Sequence, residues 1–178
     1  MIKSAEIINQ PYSGELEERI YDNESPWNSQ NWTWVKFTKT DFTKWVGQFR
    51  GSARKIAISN KRNETIVLTS DYIFRLDNNT GNLIEFIGQH QYLNLTTSPN
   101  GTFIFADYYR IERMINSLKD TKIIQNPIEM DMIEFKNWKG DILEFICDEF
   151  TNWDRHLLME LNVNDWKIRI KNAIQQKI

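Results

Sequence analysis

The chain has 178 residues but only one cysteine and two histidines. A lone cysteine cannot close an internal disulfide, and zinc sites built from cysteine pairs are excluded. No apolar run approaches the roughly 18 residues of a membrane-spanning helix. The phosphate loop GxxxxGK[ST] is missing, as are GxGxxG, HExxH and GxSxG, so the common nucleotide, zinc-protease and serine-hydrolase signatures are absent. Charge of one sign is also missing. Lys plus Arg total 22, Asp plus Glu total 24, and the net charge is −2, which gives no global bias toward nucleic acid or anionic membrane. Residues 1–9 lack the apolar core of a secretory leader and carry Glu6. With the single Cys147, this predicts a cytoplasmic protein.

Apolar and aromatic side chains are plentiful. A 40% hydrophobic fraction with 13% aromatics is too rich for a disordered chain, and the length suits one domain over residues 1–178. Asparagine is abundant, with 18 copies, and six Asn-x-Ser/Thr triplets start at Asn23, Asn31, Asn63, Asn78, Asn94 and Asn100. Such triplets matter only in a secreted eukaryotic chain. High Asn, Ile and Lys content points to an AT-rich, bacterial genome.

Residues 1–31 read as irregular or weakly helical, punctuated by Pro11, Gly14 and Pro26, with Glu15 to Ile20 as a candidate helical turn. A β-meander core is expected over about 32–135. It opens with the aromatic and β-branched stretch Trp32-Thr33-Trp34-Val35-Lys36-Phe37, followed by a short helix capped at Thr40-Asp41. Four short strands follow at Ile56–Ser59, Thr65–Thr69, Tyr72–Asp77 and Leu83–Ile87. Tyr72, Phe74 and Leu76 share one face at period two. The cluster Asp77-Asn78-Asn79-Thr80-Gly81-Asn82 makes the turn before the last strand.

The unit recurs at an offset of 36 to 37 residues. Leu93-Asn94-Leu95-Thr96 parallels the first strand and Thr102-Phe103-Ile104-Phe105 the second. Asp107-Tyr108-Tyr109-Arg110-Ile111 parallels Asp71-Tyr72-Ile73-Phe74-Arg75. A period of this size points to stacked or propeller-like sheets. The stretch from Ser70 to Phe86, with its Leu-Asp strand end, Thr-Gly turn and aromatic strand, resembles one blade of a quinoprotein-like β-propeller. A closed propeller needs at least four blades, and the flanks show no further clean copies. The expected fold class is therefore α+β: an antiparallel meander of two blade-like repeats over about 54–113, with helices in the C-terminal third at about 141–178. In that third, 129–135 reads as a strand. Ile142, Phe145, Ile146, Glu149 and Trp153 fit a helical stripe over 141 to about 160, with strand pairing to 129–135 as the competing reading. Asn164-Asp165 caps a final helix bearing Trp166, Ile170, Ala173, Ile174 and Ile178.

Candidate chemistry is sparse. Cys147, among Phe145, Ile146 and Phe150, reads as a buried inert thiol. Asp71 and Asp107 hold equivalent repeat positions, as a carboxylate pair or as acceptors at strand corners. An enzyme of unfamiliar type would draw on these two aspartates with His90 or His156. Trp27, Trp32 and Trp34 are candidates for core, for interface anchors or for a stacking platform.

The near-zero net charge is a cancellation. Residues 36–62 hold eight basic residues against Asp41, whereas residues 129–165 hold ten acidic residues against Lys136, Lys139 and Arg155. Residues 166–178 then add four basic residues. One reading lets these blocks neutralise each other. The other makes an acidic, aromatic-anchored face from Glu144, Asp148, Glu149, Asp154, Trp153 and Trp138. In size, tryptophan content and absence of a catalytic motif the chain resembles bacterial toxin-immunity proteins. That resemblance implies 1:1 inhibition of a cognate toxin through the acidic face, speeded by electrostatics. The alternative is a repeat-type, partial propeller-like binding module for a protein or small ligand. No catalytic residue, metal ligand, cofactor or membrane contact is expected. Nucleic-acid binding through the 36–62 block with Trp32, Trp34 and Trp45 is disfavoured, and no heptad run indicates an oligomeric state.

Overall fold

Buried and half-buried side chains alternate along Thr33–Phe37 and along Leu157–Leu161, the period-two pattern of strands with one face against a core. A computed structural model describes residues 1–22 and 30–174, without the side chains of Trp153 and Ile174. Trp27 lies outside the described residues. These residues form sixteen strands and no helix, so the expected α+β class is corrected to all-β.

The chain divides into two compact units, Met1–Gln91 and Tyr92–Ile178. In the first unit, one sheet contains β1 (Ile2–Ile8), β2 (Glu17–Tyr21), β3 (Trp32–Lys39) and β4 (Lys44–Arg50), in the order β1-β3-β4-β2. β2 runs parallel to β4, and the other pairings are antiparallel. The expected irregular N-terminus and the helix after Thr40 are thus strands. The second sheet is a plain meander of β5 (Ala53–Ser59), β6 (Glu64–Thr69), β7 (Tyr72–Asp77) and β8 (Leu83–Gly88). The two sheets share one core. Phe37 stacks on Trp45 at 4.2 Å, and Phe49 meets Phe74 edge-on at 5.1 Å.

The second unit repeats this plan with two meanders. The first is β9 (Asn94–Thr97), β10 (Phe103–Ala106), β11 (Ile111–Met114) and β12 (Thr121–Ile123). The second is β13 (Met130–Lys139), β14 (Ile142–Glu149), β15 (Asn152–Asn162) and β16 (Lys167–Ile174). Ile104, Ala106 and Ile111 pack with Leu143, Phe145, Leu157 and Met159 in its core. The flanks of the recognised repeat therefore hold two further four-stranded sheets, four in all.

The helices expected over 141–178 are the hairpins β14–β15 and β15–β16. Leu143, Phe145 and Cys147 face the core at period two, as do Leu157, Met159 and Leu161. Gly140, at φ 58, turns the chain between the register partners Lys139 and Ile142, a conformation that glycine adopts without steric penalty. A strand beginning there pairs at once with β13, and that pairing decides the ambiguous stripe against a helix.

Candidate functional site

The site grows from the corner between β10 and β11. Asp107 Oδ1 accepts the backbone N–H groups of Tyr109 and Arg110, each at 2.7 Å. This Asx-type turn satisfies the corner locally and turns Tyr108 and Tyr109 outward, 44% and 48% exposed. The β14–β15 hairpin brings a third aromatic. Glu149 and Asn152 are register partners, so Phe150 and Thr151 form the turn, with Thr151 at φ 65. The Phe150 N–H donates to the Glu129 carbonyl at 2.9 Å, which fastens the turn to the segment leading into β13. The Tyr109 and Phe150 rings then meet edge-on at 5.9 Å.

Beside this pair lies a surface pocket of about 620 Å³, lined by Tyr109, Arg110, Pro127, Ile128, Glu129 and Phe150 among others. Its volume falls in the range of ligand sites. Tyr108 is the chain neighbour of Tyr109, and Met132, two residues beyond the lining Met130, is 55% exposed. The Ile133 N–H donates to the Tyr108 carbonyl at 3.3 Å. Tyr, Phe and Met left in water beside Arg110 and Glu129 have the composition of an interface anchor, with an apolar centre and a polar rim. Sequence reasoning placed Tyr108 and Tyr109 in a strand and Phe150 in a helix, so it missed the site. The one signal was a Tyr-Tyr pair directly after a buried strand.

The predicted acidic face is arranged differently. Glu144 is buried and accepts from Lys171 at 2.5 Å and from Lys139 at 3.0 Å. These bonds hold its carboxyl below the usual carboxylate range. Glu149 accepts from Arg155 at 2.8 Å and Asn152 at 3.0 Å, and it too is held low, chiefly by Arg155. Asp148 lies 2.6 Å from His156 Nδ1. Asp154 is exposed on β15. Trp138 is half-buried against the core, and its Nε1–H donates to Thr96 Oγ1 at 2.9 Å. The Trp153 side chain lies outside the described residues. Much of the acidic block is thus ion-paired within its own unit, including the pairs Glu160–Lys171 and Asp165–Arg169.

The remaining candidates separate. Asp71 lies in the first unit and Asp107 in the second, and only Asp107 closes its corner by accepting backbone N–H bonds two and three residues on. In the first unit that task falls to Asp77, whose Oδ1 accepts from the N–H groups of Asn79 and Thr80. His90 is half-buried with Nε2 3.0 Å from the Thr69 carbonyl, and burial pushes its pKa down to about 4. Cys147 is buried, and its thiol is pushed up to about 12 for the same reason. Trp45 is core, whereas Trp32 and Trp34 are half-buried. In the basic block, Arg50 pairs with Asp22, Lys36 with Glu6 and Arg62 with Glu64. Among the described residues no three His, Cys, Asp or Glu side chains are placed to hold a metal ion. Among the described residues no helix is long and apolar enough to cross a membrane.

No family model and no curated protein matches the chain. Solved structures do. One is the dihydro-heme d1 dehydrogenase NirN in complex with DHE, with a TM-score of 0.54 and 14% identity over 82% of this chain and 34% of that one. Another is the extracellular domain of the putative one component system BT4673 from B. thetaiotaomicron, with a TM-score of 0.54 and 9% identity over 79% of this chain and 21% of that one. Both are β-propeller-like. At these identities the likeness concerns the fold alone, and the chain spans about a third of the first structure's chain and about a fifth of the second's. It supports the blade-like repeat. Toxin-immunity character is not shown by these likenesses, and of the four carboxylates expected on the acidic face Glu144, Asp148 and Glu149 are paired within their own unit.

Proposed function

We propose that this chain is a binding module of blade-like sheets that holds a protein partner at the Tyr109–Phe150 pocket and carries out no chemical turnover. The observation behind this reading is the pocket itself, with Tyr108, Tyr109 and Phe150 projecting from turns that their own hydrogen bonds hold in place. Tyrosine and phenylalanine offer large contact areas with few rotors to freeze, so they serve as hot spots when a partner covers them. The propeller-like fold of the solved neighbours accords with a repeat-type binding module.

The test compares the tagged full chain with its Tyr109→Ser/Phe150→Ser variant, both recovered from native cells. Exposed aromatics contribute little to folding, so circular dichroism and melting should match. The reading expects a protein recovered in stoichiometric amount with the parent chain and depleted at least tenfold with the variant. Equal recovery from both would dispose of the pocket as the partner site.

A further inference from the structure

A second cavity of about 630 Å³ lies in the same unit, and Asn126 and Pro127 border both it and the aromatic pocket. Its lining is basic. Arg113 on β11 and Lys122 on β12 are direct register partners, and both line the cavity. Like charges placed opposite each other on neighbouring strands repel and oppose folding. Lys167 and Arg169 come from β16, two residues apart and so on one face. Among the described residues the only carboxylate of the lining is Asp165, 2.5 Å from Arg169. Four cations therefore surround one cavity against a single carboxylate.

The floor is equally unusual. Trp166 ends the four-residue turn between the register partners Asn162 and Lys167 and has a φ of 53. That region is uncommon for a bulky aromatic side chain. The matching turn between Ser59 and Glu64 carries Asn63 at φ 58, a residue that tolerates the conformation. The indole of Trp166 instead lies beneath Arg113, whose guanidinium carbon is 4.3 Å from the ring centroid. The stack holds the guanidinium in a fixed plane at the cavity wall. Two local preferences, strand charge pairing and turn chemistry, are thus both overridden where these cations converge.

We infer that this cavity binds a compact polyanion made of two or more linked phosphate groups. A single carboxylate would leave most of the excess positive charge uncompensated. A di- or triphosphate brings several negative charges into one small volume. Its oxygens suit both the guanidinium fork and the lysine point charges. The cations ring a cavity and do not track along a face, which favours a small ligand over a nucleic-acid strand. The bound anion would relieve the Arg113–Lys122 repulsion, so binding and stability are linked.

Isothermal titration of the full chain with sodium tripolyphosphate tests the assignment. The expected result is one site whose affinity falls steeply as salt rises. Affinity should drop at least tenfold in Lys122→Gln/Lys167→Gln and stay unchanged in Lys55→Gln/Lys61→Gln, which removes two lysines of the other unit. Without ligand, Lys122→Gln alone should melt no lower than the parent chain, because it removes a repulsion. Arg113→Lys keeps the charge but loses the fork and should bind at intermediate strength. Absence of heat and of any melting shift at low salt would overturn the inference. So would equal weakening in the two double variants, or tight binding of an oligonucleotide or polyglutamate where tripolyphosphate fails.

Discussion

Glu144 and Glu160 face each other as register partners across β14 and β15, and Lys171 of β16 reaches both, at 2.5 Å and 2.8 Å. Two carboxylates in this relation repel unless a cation lies between them. The lysine that supplies it belongs to the basic tail of the sequence, so the −7 and +4 blocks meet in a single cross-strand cluster. Lys171→Met should lower the melting temperature by a few degrees at neutral pH. Glu144→Gln in the same background should restore part of the loss, and a double-mutant cycle by thermal melting would show the coupling. A strictly additive cycle would refute the cluster.

The same cluster sets a pH dependence. The hydrogen bonds from Lys171 and Lys139 hold the Glu144 carboxyl below its ordinary value of 4.5. Its contribution is therefore complete above the unfolded value and is lost as pH falls through the folded one. Acid unfolding of Lys171→Met should accordingly show a shallower stability slope below about pH 4.5 than the parent chain.

His90 gives a second slope at higher pH. Its folded pKa is about 4 against an ordinary 6.5. Between these values the unfolded chain binds a proton that the folded chain does not, so stability rises with pH across the window and levels off above it. The slope approaches about 1.4 kcal/mol per pH unit for one proton. Urea unfolding at several pH values should show this slope in the parent chain and lose it in His90→Gln.

In the core of the second unit, Phe145 is fully buried and meets Phe135 at 6.4 Å. Phe145→Ala leaves a cavity and should cost about 3–5 kcal/mol, read from the urea midpoint at constant slope. A loss under about 1 kcal/mol would mean that the site collapses freely around the gap.

Trp166 offers a contrast. Trp166→Asn relaxes the left-handed turn by about 1 kcal/mol but removes the Arg113 stack, of similar size, and the packing of the indole against the core of the second unit. The melting temperature should fall by a few degrees, and tripolyphosphate affinity should fall as well. Unchanged affinity would make the indole a packing residue alone.

The meander from β5 to β8 was readable in the sequence because its strands are short β-branched and aromatic runs and its turn carries Asp77, Thr80 and Gly81, which fix the corner by local hydrogen bonds. The C-terminal sheet was misread because its signals are weak one by one. Ile142 and Ile146 are apolar on the face opposite Leu143, Phe145 and Cys147 and hide their alternation. Phe150-Thr151 makes a tight turn without glycine or asparagine, and at the next turn Trp166, not Asn164, takes the left-handed position. The first sheet was missed for another reason. β2 pairs in parallel with β4 across a long connection, and such non-local pairing leaves no local pattern. Neither candidate site was visible in the sequence. Tyr109 and Phe150, like Arg113 and Trp166, are brought together only by the topology, and each pair is some forty to fifty residues apart in the chain.

Cys147 stands on β14 with its thiol sealed in the core of the second unit. Because the chain holds no other cysteine, a thiol-specific reagent can modify it only when that sheet opens. The labelling rate, divided by the rate for an unfolded peptide, then gives the opening equilibrium of one defined strand under fully native conditions. The scarcity of cysteine thus equips the fold with its own clock, able to time how a ligand in either cavity tightens the sheet from which Phe150 and Trp166 project.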